Sequence, residues 1–154
     1  MTSQEGQHTK QKILIVTGFL LAFLLGASLT YAVMTVTRRI ESTAQVKAVG
    51  VGIYAYDNKT GILTQINWGV LEPGQSKNFT CYVFNEGNTP ITLTMSTENW
   101  TPTNAQTYVS LTWNYKGSQI TPSDYVAVTF TLSVSANVQG LDTFSFTIVV
   151  TGTG

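Results

Sequence analysis

The chain holds few of the side chains that carry acid–base, nucleophilic or metal chemistry. Its 154 residues include one cysteine, Cys81, and one histidine, His8. A single cysteine excludes an intrachain disulfide and a cysteine-based metal cage. His8 falls among the first dozen residues, so the rest of the chain can form neither a Ser/His/Asp nor a Cys/His arrangement. Charge is scarce as well. Asp, Glu, Lys and Arg make up 10% of residues and sum to a formal net charge of +0, against about 25% charged residues in an average domain. With no basic excess, nucleic acid is excluded as a partner. From residue 46 onward the acids are Asp57, Glu72, Glu86, Glu98, Asp124 and Asp142. They are scattered among turn residues, and no local spacing pairs them as a glycosidase pair would be. The oxygen-rich turn at Asp57-Asn58 lacks the ligand spacing of a calcium loop. These absences predict a protein that is not an enzyme and carries no cofactor.

One segment does have a long hydrophobic run. From Ile13 to Val36 the chain reads ILIVTGFLLAFLLGASLTYAVMTV, with no charge and no proline. As a helix rising ~1.5 Å per residue it spans roughly 36 Å, more than the ~30 Å hydrocarbon core of a bilayer. The run divides the chain into a polar head (1–12), a transmembrane helix or signal sequence (13–36), a polar linker (37–45) and a tail (46–154). Arg38 and Arg39 stop the run in the manner of a signal anchor. Thr30-Tyr31-Ala32 instead offers the small residues that a signal peptidase reads, with cleavage after Ala32. The flanking charges, Lys10 and Lys12 on one side and Arg38 and Arg39 on the other, nearly cancel as orientation signals. A tail that reads as exported breaks the tie: head inside, tail outside, with membrane lipid as the run's partner.

In the tail the apolar period is two, the strand period. Val49, Val51, Ile53 and Ala55 share one face of a first strand. A shorter extended piece covers 62–68. In the strand over 77–85, Phe79, Cys81 and Val83 face one way and Asn78, Thr80 and Tyr82 the other, with Cys81 a small core residue. Ile91, Leu93 and Met95, then Val109, Leu111 and Trp113, continue the pattern. Val126, Val128, Phe130, Leu132 and Val134 form the longest alternation, and Phe144, Phe146, Ile148 and Val150 the last. Turn residues separate these runs. In Glu72-Pro73-Gly74-Gln75, proline fixes φ at the second position and glycine accepts the positive φ at the third, which predicts a type II turn. About seven short strands, each with one face to bury, predict an all-β fold: an immunoglobulin-like antiparallel β-sandwich, preceded by one N-terminal transmembrane (signal-anchor) helix.

Asn58-Lys59-Thr60, Asn78-Phe79-Thr80 and Asn99-Trp100-Thr101 are acceptor motifs for N-glycosylation. The longest expected loop, 98–107, contains Trp100. There it either anchors a partner or a sugar, or caps the open end of the sandwich. Trp68 and Trp113 are expected to be packed.

The stretch WGVLEPGQSKNFTCYVFNEGNTPITLTMST, from Trp68 to Thr97, resembles the first strands of archaeal secreted and membrane-anchored immunoglobulin-like domains. The likeness rests on Leu-x-Pro-Gly, a polar residue, an alternating strand, Asn-x-Gly-Asn and a Thr-rich strand. The later LTWNY, ITPSDYVAVTFTLSV and FSFTIVVTG fit the same type. A second likeness is to the TasA/camelysin group of fibre-forming exported proteins, which place a sandwich after an apolar leader. Archaeal type IV pilins also do so, but Lys12 here is followed directly by Ile13, without the small residue of a prepilin-peptidase site. The first resemblance implies the fold more than the role, since such modules serve adhesion, surface-layer and filament roles alike; the anchor, the sandwich and the absent catalytic groups together predict a single-pass surface protein used for adhesion or contact with other cell-envelope proteins. The second implies a self-associating filament subunit, released by cleavage near Ala32 and assembled by strand complementation.

Overall fold

The structure, a computed structural model, describes residues 39–154, and of Val49 the backbone alone. The expected head, the apolar run as span or signal, and the cut at Ala32 lie outside the described residues. Within them, no helix is long and apolar enough to cross a membrane.

Eight strands form, one more than the expected seven or so: β1 (Ile40–Val49), β2 (Gly52–Tyr54), β3 (Gln65–Leu71), β4 (Ser76–Phe84), β5 (Thr92–Thr101), β6 (Val109–Trp113), β7 (Tyr125–Val134) and β8 (Thr143–Thr153). One 3-10 helix, Thr103–Thr107, joins β5 to β6. The strands make two four-stranded sheets, sheet A in the order β3-β1-β8-β5 and sheet B in the order β2-β4-β7-β6. Neighbouring strands are antiparallel except β1 and β8, which run parallel.

The two sheets share one apolar core. Sheet A contributes Ile40, Ala44, Ile66, Trp68, Leu71, Leu93, Phe144, Phe146, Ile148 and Val150. Sheet B contributes Ile53, Cys81, Val83, Val109, Val128, Phe130, Leu132 and Val134. These are the alternating positions of the strands, except that in β3 a register shift moves the last buried residue to Leu71, and full burial of one such aliphatic or aromatic side chain stabilises the fold by about 1.5–3 kcal/mol.

The path between the strands differs from that of an immunoglobulin domain, which keeps strands A, B, E and D in one sheet and C, F and G in the other. Here every connection except β6–β7 changes sheets. Alternation along a strand reports which side is buried but carries no information about which sheet the strand joins.

Three expected boundaries are corrected. The supposed linker over 37–45 is a strand from Ile40 onward, lying between β3 and β8 inside sheet A. Its inward positions are Ile40, Ser42, Ala44 and Val46, and two of these are too small or too polar to register as a hydrophobic period. Ser42 is buried, and its hydroxyl donates to the Gly69 carbonyl at 3.2 Å. Small side chains fit there because their register partners on β8 are Phe144 and Phe146.

The expected first strand through 49–55 is broken at Gly50, whose φ of 70° turns the chain out of sheet A and into β2 of sheet B. The crossing runs close to β8. A Cβ on Gly152 would lie 2.6 Å from Val51 Cγ1, so only glycine leaves room for it.

The expected loop over 98–107 is shorter. Strand β5 continues to Thr101 through a bulge between Glu98 and Thr101, with Asn99 at φ 56°. The turn at Glu72-Pro73-Gly74-Gln75 forms as expected. Gly74 has φ 81°, and Gln75 N–H donates to the Glu72 carbonyl at 3.0 Å.

Candidate binding surface

The direction of β1 defines two ends. At the proximal end, where β1 starts, Ile40 pairs with Leu71, and the turn at Pro73-Gly74 and the 3-10 helix lie at the same end. At the distal end are Gly50, the β4–β5 loop and the β6–β7 loop.

On sheet B the wet-face positions of the distal end are aromatic. Tyr54 of β2 pairs with Tyr82 of β4, and Phe84 of β4 pairs with Tyr125 of β7. The rings form a connected row. Tyr54 and Phe84 meet edge to face at 5.4 Å, Phe84 and Tyr125 lie 4.8 Å apart, and Tyr125 and Tyr82 are 5.7 Å apart. Ile62 pairs with Tyr54 from the next turn of chain and is 74% exposed. Tyr125 is 41% exposed, and Tyr56 in the adjoining loop is 61% exposed.

Phe84 is buried although it sits on the outer face. Its cover includes Lys59, whose ammonium lies 5.0 Å from the ring centroid. Lys59 also approaches Glu86 at 4.0 Å, and the Tyr54 hydroxyl donates to Glu86 Oε1 at 2.8 Å. That hydrogen bond, with lesser contributions from desolvation and from the carboxylate charge, raises the Tyr54 pKa above its ordinary value and keeps the phenol a donor.

The platform rests on a buried polar anchor. Asn85 follows Phe84 and is fully enclosed. Its amide NH2 donates to the carbonyls of Thr89 and Ile120 at 2.7 and 3.0 Å, and its Oδ1 accepts from Gly87 N–H at 2.9 Å. Ser123 N–H donates to the Asn85 carbonyl at 3.0 Å. One side chain thus ties the β4–β5 loop to the β6–β7 loop, with every polar group used.

The outer face of sheet A is of a different kind. A shallow groove of about 560 Å³ is lined by Gln45, Gln65, Asn99 and Thr147, with Lys47 and Glu98 3.9 Å apart at its side. It is polar and nearly free of aromatic surface.

The sequence-derived site residues do not converge. Asn58 is exposed on the loop beside β2, Asn78 is exposed on the outer face of β4, and Asn99 sits at the β5 bulge. Trp100 belongs to the proximal end of sheet A. It is half-buried and stacks on Phe146 at 4.2 Å and 6°, and its indole N–H donates to Thr97 Oγ1 at 3.2 Å. Of the other tryptophans, Trp68 is buried and Trp113 stacks on Phe130.

Cys81 is buried in the core, and desolvation pushes its thiol from 9.0 up to about 12. It faces away from Tyr82 and is unreactive as a nucleophile at neutral pH. The six acids are all exposed, and among the described residues no three His, Cys, Asp or Glu side chains gather as metal ligands would.

The aromatic row was the surface that sequence reasoning missed. The signal was available. Tyr82 falls on the wet face of its strand, and Phe84 shares its parity. No protein-family model matches the chain, and no curated protein matches it as a relative.

Proposed function

We propose that this protein is a non-enzymatic, single-pass surface protein, with the apolar run from Ile13 to Val36 as its membrane anchor. Its two-sheet domain is displayed outside the cell for adhesion or contact with other envelope components. The observation that carries this reading is the aromatic row at the distal end of sheet B. Rigid rings carrying hydroxyls, mounted on strands, supply large contact area at small entropic cost. The row lies at the end of the domain opposite the start of β1. Lys59 and Glu86 offset one another there, which favours a neutral partner surface.

The test has two arms. Protease applied to intact cells should remove the domain, and full protection would overturn the topology. The purified full chain should bind isolated cell envelopes, and the double variant Tyr82→Ala, Tyr125→Ala should lose most of that binding. Undiminished binding would remove the aromatic row from the proposal.

A second reading has its own observation. Strand β1 lies inside sheet A, parallel to β8, and joins the rest of the domain through Gly50. In a chain cleaved near Ala32, β1 of one copy could fill this position in the next and build a filament, since an exchanged element reuses contacts already present within one copy. Electron microscopy of shed material, with N-terminal sequencing, decides the matter. Monomers that retain residues 13–36 count against it.

A further inference from the structure

The three Asn-x-Thr motifs are alike in sequence but not in geometry. At Asn78 the backbone is a regular strand, and the Thr80 hydroxyl is engaged across the sheet by Thr129 Oγ1 at 2.9 Å. At Asn99 the amide nitrogen is occupied, donating to Thr147 Oγ1 at 3.4 Å. At Asn58 the arrangement is reversed. The side-chain carbonyl Oδ1 accepts from Thr60 N–H at 3.2 Å and from Thr60 Oγ1 at 2.5 Å. Among the described residues no hydrogen bond holds the Asn58 amide nitrogen. Lys59, at φ 59°, makes the bend that brings Thr60 back onto Asn58. The whole turn is exposed beside the β2 edge.

We propose that Asn58 is the glycan-bearing residue of this domain and that Asn78 and Asn99 stay unmodified once it has folded. The proposal rests on the extracellular placement of the domain. The donor is an oligosaccharide joined through phosphate or pyrophosphate to a membrane lipid. Asn58 Nδ2 bonds to the anomeric carbon of the first sugar, and the bond from that carbon to the phosphate oxygen breaks. The lipid phosphate leaves with the electron pair, and the amide proton passes to a base of the transferase. As Nδ2 gives up its proton, negative charge gathers on Oδ1. The two donors from Thr60 already point at that oxygen, so they hold the charge without rearrangement. At Asn99 one amide proton is engaged by Thr147, and at Asn78 the helping hydroxyl is paired with Thr129 rather than with the asparagine carbonyl.

The experiment is peptide mass mapping of the full chain purified from its own membranes, paired with protease treatment of intact cells. The expected result is a saccharide on the peptide containing Asn58 and unmodified masses for those containing Asn78 and Asn99. Thr60→Ala should remove the saccharide without shifting the thermal midpoint, and Thr60→Ser should retain it. Saccharide on Asn78 or Asn99 with Asn58 bare overturns the assignment. Asn58 bare on a domain that external protease can cut also overturns it, while leaving the display reading standing. A domain protected from external protease overturns the display reading, and this proposal with it.

Discussion

Two groups of aromatic rings lie at opposite ends of the domain and do different work. At the proximal end Trp100 stacks on Phe146 and lies 6.3 Å from Phe144, on the inward side of sheet A. At the distal end Tyr54, Phe84, Tyr125 and Tyr82 form a row on the outward side of sheet B. The chemistry is similar in both. Strand parity separates them, because side chains of one strand point alternately to its two faces. The inward group closes the core, while the outward group lies on the wet side of its sheet, where Tyr125 is 41% exposed and Phe84 is covered by its neighbours. Strand parity decides which side of its sheet each ring takes, and the neighbours on that side decide how much of it stays exposed.

The sharpest way to break this comparison is to truncate one ring from each group. A buried tryptophan replaced by alanine costs about 3–5 kcal/mol, and Trp100 is half-buried, so Trp100→Ala should cost roughly 2–4 kcal/mol in chemical denaturation. Tyr125→Ala should cost less than about 1 kcal/mol, in line with an exposed position. Equal losses would show that the outer row is a second core rather than a contact surface.

The next largest effect is expected at Asn85. Its replacement by alanine leaves the Thr89 carbonyl and the Gly87 N–H without their partner and removes one of the two donors to the Ile120 carbonyl, which keeps Ile91 N–H, at about 1–3 kcal/mol for a buried group left unpaired. Asn85→Ala should therefore lower stability by roughly 2–3 kcal/mol and weaken envelope binding without touching a ring. If stability falls and binding holds, the row does not depend on this anchor.

Cys81 and Tyr82 put the two faces of one strand side by side. The Cys81 thiol stays protonated in the folded state up to about pH 12. The unfolded thiol ionises near its ordinary pKa, so the unfolded state loses its proton first. Stability from this group is complete below pH 9 and falls as pH rises toward 12, at up to about 1.4 kcal/mol per unit. Comparing alkaline melting of the native chain with Cys81→Ala isolates the effect. A thiol reagent should leave Cys81 untouched in the folded domain while tyrosine-directed nitration reaches Tyr125.

The smallest effect belongs to Lys59, which covers Phe84 and approaches Glu86. Exposed ion pairs contribute about 0–1 kcal/mol and exposed cation–π contacts about 0.5–1 kcal/mol. Lys59→Ala should cost less than about 1 kcal/mol by thermal melting. It should also make Phe84 more accessible, as read by hydrogen exchange at neighbouring amides.

Much of this was legible in the chain. The alternation at 126–134 and 144–150 placed two central strands and their buried faces, because long β-branched and aromatic runs leave no other economical burial. The turn at Pro73-Gly74 was readable from two residues whose backbone preferences are fixed. Strand β1 was not, since its inward side is Ile40, Ser42, Ala44 and Val46, and small residues carry no apolar period. The bulge at Asn99 was not legible either, because its left-handed backbone falls on a residue that is common in ordinary turns. Nor did the sequence set apart Asn58 from Asn78 and Asn99. The difference lies in hydrogen bonds to Thr60, Thr129 and Thr147.

By itself, then, the sequence determined that the tail folds as strands, which side of most strands is buried, and that catalytic side chains are sparse. These follow from local rules: period, turn preference and composition. Tertiary structure alone decided that Ile40–Val49 sits between β3 and β8, that nearly every connection changes sheets, and that four rings from three strands form one row. Those outcomes depend on which distant segments become neighbours, and pairing across a sheet is fixed by the fit of side chains far apart in the chain rather than by any one segment's own pattern.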